Sequence, residues 1–166
     1  MKKVFLILLI ISSIHSFCQN IEKSIERTII TFNNIEKPPV FPECSSELTK
    51  ELKRKCINAK LNELVENHFN LSLLACLEKE YIVNQETGKK EEMCSSKLSK
   101  GKKNITIQFV INKTGETEKI YVTAPHPKLQ KEGVRIAKMI PKMTPGKRNG
   151  KPTAVSYSFP ISFNVQ

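Results

Sequence analysis

Cys44, Cys56, Cys76 and Cys94, with His68 and His126, are the side chains past residue 18 best suited to metal binding, cross-linking or proton transfer. Four cysteines can hold zinc or close two disulfides. Zinc sites use tighter ligand spacing, and no C-x-x-C pair occurs, so disulfides and no metal are expected. Catalysis needs an acid, a base and a nucleophile assembled together. The chain has no nucleophile elbow, phosphate loop or metal-binding helix, and His126 stands between two prolines with no Cys, Ser or Asp assigned beside it. A non-enzymatic protein without a cofactor is expected.

The start of the chain bears on the cysteines. Met1-Lys2-Lys3 is basic, Val4 to Ile14 is apolar apart from Ser12 and Ser13, and Ser16-Phe17-Cys18 offers small residues before Gln19. This is the pattern of a secretory signal peptide over residues 1–18. The apolar run is shorter than the roughly 20 residues that span a bilayer. A periplasmic or secreted protein follows, with inner-membrane anchoring as the minor alternative if the leader is kept. Cleavage leaves 148 residues and takes the net charge from +11 to +9. Oxidising conditions outside the cytoplasm suit an even set of four cysteines. The lysines are spread along the chain and there is no Trp. Binders of single-stranded nucleic acid interleave aromatics with their cations, so no nucleic-acid partner is expected, and most of the charge solvates the surface.

Four further segments follow the leader. Residues 19–43 form a lead-in whose Ile21, Ile25, Ile29 and Ile30 could share a helical stripe until Pro38-Pro39 stops it. It is expected to be partly ordered at best. Residues 44–75 are helical, with Leu48, Leu52, Cys56, Leu61, Leu64, Val65, His68 and Phe69 at three-to-four spacing. His68 there is expected to be a packed or boundary residue. A straight helix from Ser46 to Cys56 would be about 15 Å long, too far for a disulfide. A Cys44–Cys56 bridge therefore predicts a bend near Lys53-Arg54-Lys55. Residues 76–103 are polar and read as a surface insertion, clipped at its base by Cys76–Cys94 and turning at Thr87-Gly88.

Residues 104–166 are the most legible. Ile105, Ile107, Phe109 and Ile111 alternate with polar neighbours, Asn112 to Gly115 turns, and Ile120, Val122 and Ala124 return. Pro127 suits a first helical position. Leu129, Gly133, Ile136, Ala137 and Ile140 make a buried stripe, and Pro141 ends it. From Val155 to Val165 apolar residues alternate with small and polar ones. The helix returns the chain, so the last strand can pair antiparallel only with the first. The expected fold is α+β, a two-layer α-β-β-α-β arrangement with a three-stranded antiparallel sheet of order 2-1-3 and helices on one face. The last strand is then an edge strand, which agrees with Pro160.

The motifs K-T-G at 113–115, A-P-H-P-K-L at 124–129, P-K-M-T-P-G-K-x-x-G-K-P at 141–152 and Y-S-x-P-I at 157–161 resemble the C-terminal domain of TonB-family proteins. The likeness is close over residues 105–165 and loose over 38–73, where "PPVFPEC" and "RKC" look like short exported members. It implies a domain that accepts an extended peptide of an outer-membrane transporter as an added strand. The implied receiving residues are Val155, Ser156, Tyr157, Ser158, Phe159, Ile161, Ser162 and Phe163. Lys142, Lys147, Arg148 and Lys151 line a basic loop that solvates the surface or attracts an acidic partner. The implied partner is a TonB-dependent outer-membrane transporter or another envelope protein, and an open edge could also pair two copies of the chain.

Three departures separate the chain from the family's energy transducers. Ile11 stands where a Ser-x-x-x-His anchor motif ending at His15 would need serine. Residues 19–40 span only about 26 Å as a flexible linker. Gly133 replaces the family's usual alanine, a weakening of about 1 kcal/mol. A soluble periplasmic binding module is expected; the rivals are an anchored energy transducer and a basic envelope-associated protein that binds anionic polymers.

Overall fold

Alternating apolar residues build the sheet. The computed structural model describes residues 29–165, so the expected signal peptide and Ile21 and Ile25 lie outside the described residues. The first named strand, β1, is Ile30–Thr31; the long strands are β4 (Gly101–Ile111), β5 (Thr117–Thr123) and β8 (Val155–Val165). β4 pairs antiparallel with both β5 and β8, which gives the expected 2-1-3 order among these three. The whole sheet is nevertheless four-stranded and mixed, because β1 runs parallel to the start of β8, Ile30 opposite Val155 and Thr31 opposite Ser156.

β1 corrects the three-stranded sheet, and within the lead-in it makes Ile30 part of a strand rather than of a helical stripe. Phe32 and Ile35 are buried, as are residues 38–41. The Phe32 ring stands edge-on to Tyr157 at 5.2 Å, a favoured aromatic geometry. Lys37 exchanges two backbone hydrogen bonds with Lys147, at 3.1 and 2.8 Å, and Val40 exchanges two with Thr144, at 3.1 and 2.9 Å. Residues 29–41 are thus a strap stitched to the Pro-Gly-basic loop. Burial of Phe32 and Ile35, together with those cross-chain bonds, outweighs a local helical stripe through Ile29 and Ile30.

Helix α1 (Lys50–His68) begins where the Thr49 hydroxyl accepts the Leu52 N–H at 3.3 Å. It is continuous, so the expected bend at residues 53–55 does not occur. The chain turns earlier, with Glu43 at φ 71°, and brings Cys44 back beside Cys56 at a Cα separation of 6.2 Å. Placing the reversal before the N-cap satisfies the disulfide without breaking helical hydrogen bonds. Ile57 and Leu61 face the core. His68 ends the helix exposed and contributes its carbonyl to Arg135.

After the short helix α2 (Ser72–Ala75), β2 (Glu78–Val83) and β3 (Lys90–Ser96) form a separate two-stranded hairpin. Cys76–Cys94 closes its base, with Cα atoms 5.7 Å apart, and Gly88 at φ 68° lies in its turn. Helix α3 (Pro127–Ala137) has Pro127 in its first turn, and His126 Nδ1 accepts the Lys128 N–H at 3.2 Å. Leu129, Ile136 and Ala137 bury against β4 and β5. Gly133 belongs to this contact: a Cβ there would lie 2.7 Å from Val122 Cγ1. Its glycine lets α3 approach the sheet closely. The core joins α1, α3 and the strap to one face of the sheet.

Candidate functional site

The last strand is the element on which the expected site residues fall, and alternation divides them. Val155, Tyr157 and Phe159 point into the core and are buried; Ile161 and Phe163 continue that face but are half-buried. Ser158 and Ser162 are exposed on the opposite face, and Ser156 is half-buried. Tyr157 is also tied to α1, its hydroxyl donating to Asn58 Oδ1 at 2.8 Å, and burial pushes its phenol above the usual tyrosine range.

Backbone direction matters more than side-chain direction at a sheet edge. The Ala154 and Ser156 carbonyls accept from Ile30 and Phe32 N–H groups at 3.1 and 3.2 Å. Even-numbered residues of β8 therefore turn their backbone groups away from β4, because successive residues in a strand alternate sides. Beyond Ser156, β1 supplies no further pairing. The outward groups of Ser158, Ser162 and Asn164, and the Pro160 carbonyl, have no backbone partner among the described residues. Pro160 sits opposite Thr106 in the ladder; its missing N–H falls on the outer side, so pairing with β4 loses nothing. The expectation of an entirely open last strand is corrected at Val155 and Ser156, where β1 occupies the edge.

The half-buried end of β8 borders a groove. Ile161 and Phe163 form one wall, and Val65, Phe69, Leu71 and Leu74 the other, with Glu66 at the rim; its volume is about 160 Å³. The groove was not foreseen, because Leu71 and Leu74 have no periodic partner in the sequence. Its position is fixed from behind. The buried Glu132 accepts the Asn70 N–H at 2.8 Å and Arg135 Nε at 2.8 Å, while Arg135 also donates to the His68 carbonyl. These bonds tie the end of α1 to α3. The Arg135 hydrogen bond, helped by the Asn70 N–H and the Arg135 charge, holds the Glu132 carboxyl below its ordinary range against the cost of burial.

The expected basic loop lies elsewhere. Lys147 is in β6 (Gly146–Arg148), and Lys151 opens β7 (Lys151–Thr153); the two strands pair as a hairpin turning at Asn149 and Gly150, both at positive φ. Lys142 Nζ is 3.9 Å from Glu116 Oε1. All four loop cations are exposed, and they precede the β1-covered start of β8 rather than its open end. The loop has a structural task. Met143 N–H donates to the Gly115 carbonyl at 2.8 Å, and Gly115, at φ 90°, leaves room that a Cβ would lose, since it would lie 1.8 Å from the Met143 oxygen. The run from Ile140 to Pro152 therefore locks the β4–β5 turn on one side and the amino-terminal strap on the other.

The fold and edge define an α+β domain with a mixed sheet whose last strand is only half covered. Residues 102–165 match the family described as the Gram-negative bacterial TonB protein C-terminal, and over those residues the chain carries a TonB-family C-terminal domain. No curated protein and no solved structure matches the chain. Among the described residues, no helix is long and apolar enough to cross a membrane, and no three of His, Cys, Asp and Glu gather as a metal site requires.

Proposed function

We propose that this is a cell-envelope protein whose TonB-type domain receives an extended segment of a TonB-dependent outer-membrane transporter as a strand added to β8. The receiving stretch runs from Ser158 to Asn164, shorter than the family resemblance alone implies, because β1 already holds Val155 and Ser156. The observation that supports it is the row of outward backbone donors and acceptors past Ser156. Such groups give affinity through main-chain hydrogen bonds, whereas neighbouring pockets give choice. β1 acts as a stop, anchored by the buried Phe32 and by the Arg54 guanidinium 5.4 Å over its ring.

Pro160 suggests the test. Ser162→Pro removes one outward N–H and leaves the β4 ladder intact, as Pro160 already does. One hydrogen bond contributes roughly 0.5–1.5 kcal/mol. The variant should fold normally and bind soluble extended segments of transporters from the same envelope about three- to tenfold more weakly. Unchanged affinity would remove the edge from the interface. Raised salt should leave most of the binding in place, whereas attraction of an anionic polymer by the basic loop would collapse.

A further inference from the structure

We infer that the groove beside β8 selects the added strand, taking an apolar side chain from one of its alternate positions. This rests on the proposed strand addition and goes beyond it by naming the chemistry of the incoming segment. A strand placed against Ser158–Asn164 must point every second side chain to the helix side of the sheet. On that side it meets Ile161, Phe163, Phe69, Leu71 and Leu74, a surface whose one charged lining residue among the described residues is Glu66. On the other side it meets Ser158, Pro160, Ser162 and Asn164, all exposed. The occupant is thus an extended segment that is apolar at alternate residues on one face and small or polar on the other.

Two observations commit the groove to that occupant. Unpaired strand groups run along its border, so a helix or a loop would satisfy the apolar wall while leaving the backbone row unmet. The core-facing row of β8 is buried through Val155, Tyr157 and Phe159 and becomes half-buried only at Ile161 and Phe163, where the open edge lies. The helical wall, Val65 to Leu74, also falls outside residues 102–165, which match the family. The backbone grip then belongs to the family domain, and the choice of segment belongs to the part of the chain that precedes it.

The test uses the full chain and two lysine-capped peptides, serine throughout except that one carries leucine at two alternate positions. Affinity is measured by titration, and the contact by backbone amide shifts. Partial burial of the leucines should make that peptide roughly 10- to 100-fold tighter, with both peptides shifting the Ser158, Ser162 and Asn164 amides. Leu71→Ser, at a residue 69% exposed and so dispensable for folding, should reduce the advantage of the leucine peptide and leave the serine peptide unchanged. Equal affinities at the β8 edge would overturn selection by the groove and leave strand addition standing. Shifts confined to other regions would overturn both.

Discussion

Gly133→Ala sets two physical effects against each other, and the structure decides the sign. Alanine in a helix interior is favoured over glycine by about 1 kcal/mol, so an exposed position would be stabilised. At Gly133 the added Cβ would lie 2.7 Å from Val122 Cγ1, 3.4 Å from Val122 Cγ2 and 3.6 Å from Ile105 Cγ2. Ordinary carbon contacts are about 3.5–4.0 Å, so something must move by nearly 1 Å. Val122 cannot turn aside easily: it is 1% exposed, and its branched Cβ restricts χ1. Helix α3 cannot simply lift, because Glu132 and Arg135 tie it to Asn70 and His68. Overpacking costs about 1–3 kcal/mol. The expected net effect is destabilisation by about 1 kcal/mol, a fall in Tm of roughly 2–4 °C for a chain of this size, read by reversible thermal and urea unfolding. Combined with Val122→Ala, the same substitution should become neutral or favourable, because its methyl enters the space vacated. Stabilisation of the single variant by the full helix-propensity gain would refute the close-approach argument.

Gly115→Ala should cost more, at least about 2 kcal/mol, since it combines φ 90° with a backbone oxygen 1.8 Å from the new Cβ; urea unfolding measures it. Glu132 supplies a pH signature. Its folded-state pKa is lowered from the ordinary 4.5, so its contribution is fully present above that unfolded value and is lost as pH falls through the depressed folded one. Glu132→Gln should lower stability at neutral pH and flatten the acid limb of a stability-against-pH curve. Replacing Cys44 and Cys56 together by serine should cost about 3 kcal/mol, read as a lower urea midpoint, with the hairpin β2–β3 unaffected because Cys76–Cys94 closes it separately.

The sequence made the parts with a local period legible. β4 and β8 alternate apolar and polar residues, and α3 carries its stripe between Pro127 and Pro141, so these elements, their order and the helix-covered face followed from the residues. Both disulfides also join the expected neighbours, Cys44 with Cys56 and Cys76 with Cys94. The strap was not legible because nothing local holds it. Two residues of β1 pair in parallel with a strand more than a hundred positions away, and Phe32 gains its place from Tyr157. The continuous α1 was missed for a related reason: the disulfide demanded a reversal, and only the Thr49 cap shows that it precedes the helix. At the candidate site the strand itself was legible, whereas its half-covered edge required knowing where β1 lies. The groove required α1, α2 and β8 to be brought together.

Backbone amide exchange along β8 is the most direct measurement of the central claim. In the free protein, the Ser158, Ser162 and Asn164 amides should exchange quickly, while those of Ser156, Tyr157, Phe159 and Ile161 are protected by β1 or β4. Binding of a transporter segment should slow exchange at Ser158, Ser162 and Asn164 and leave the others as they were. Fast exchange persisting at those three amides in the saturated complex would contradict strand addition at β8.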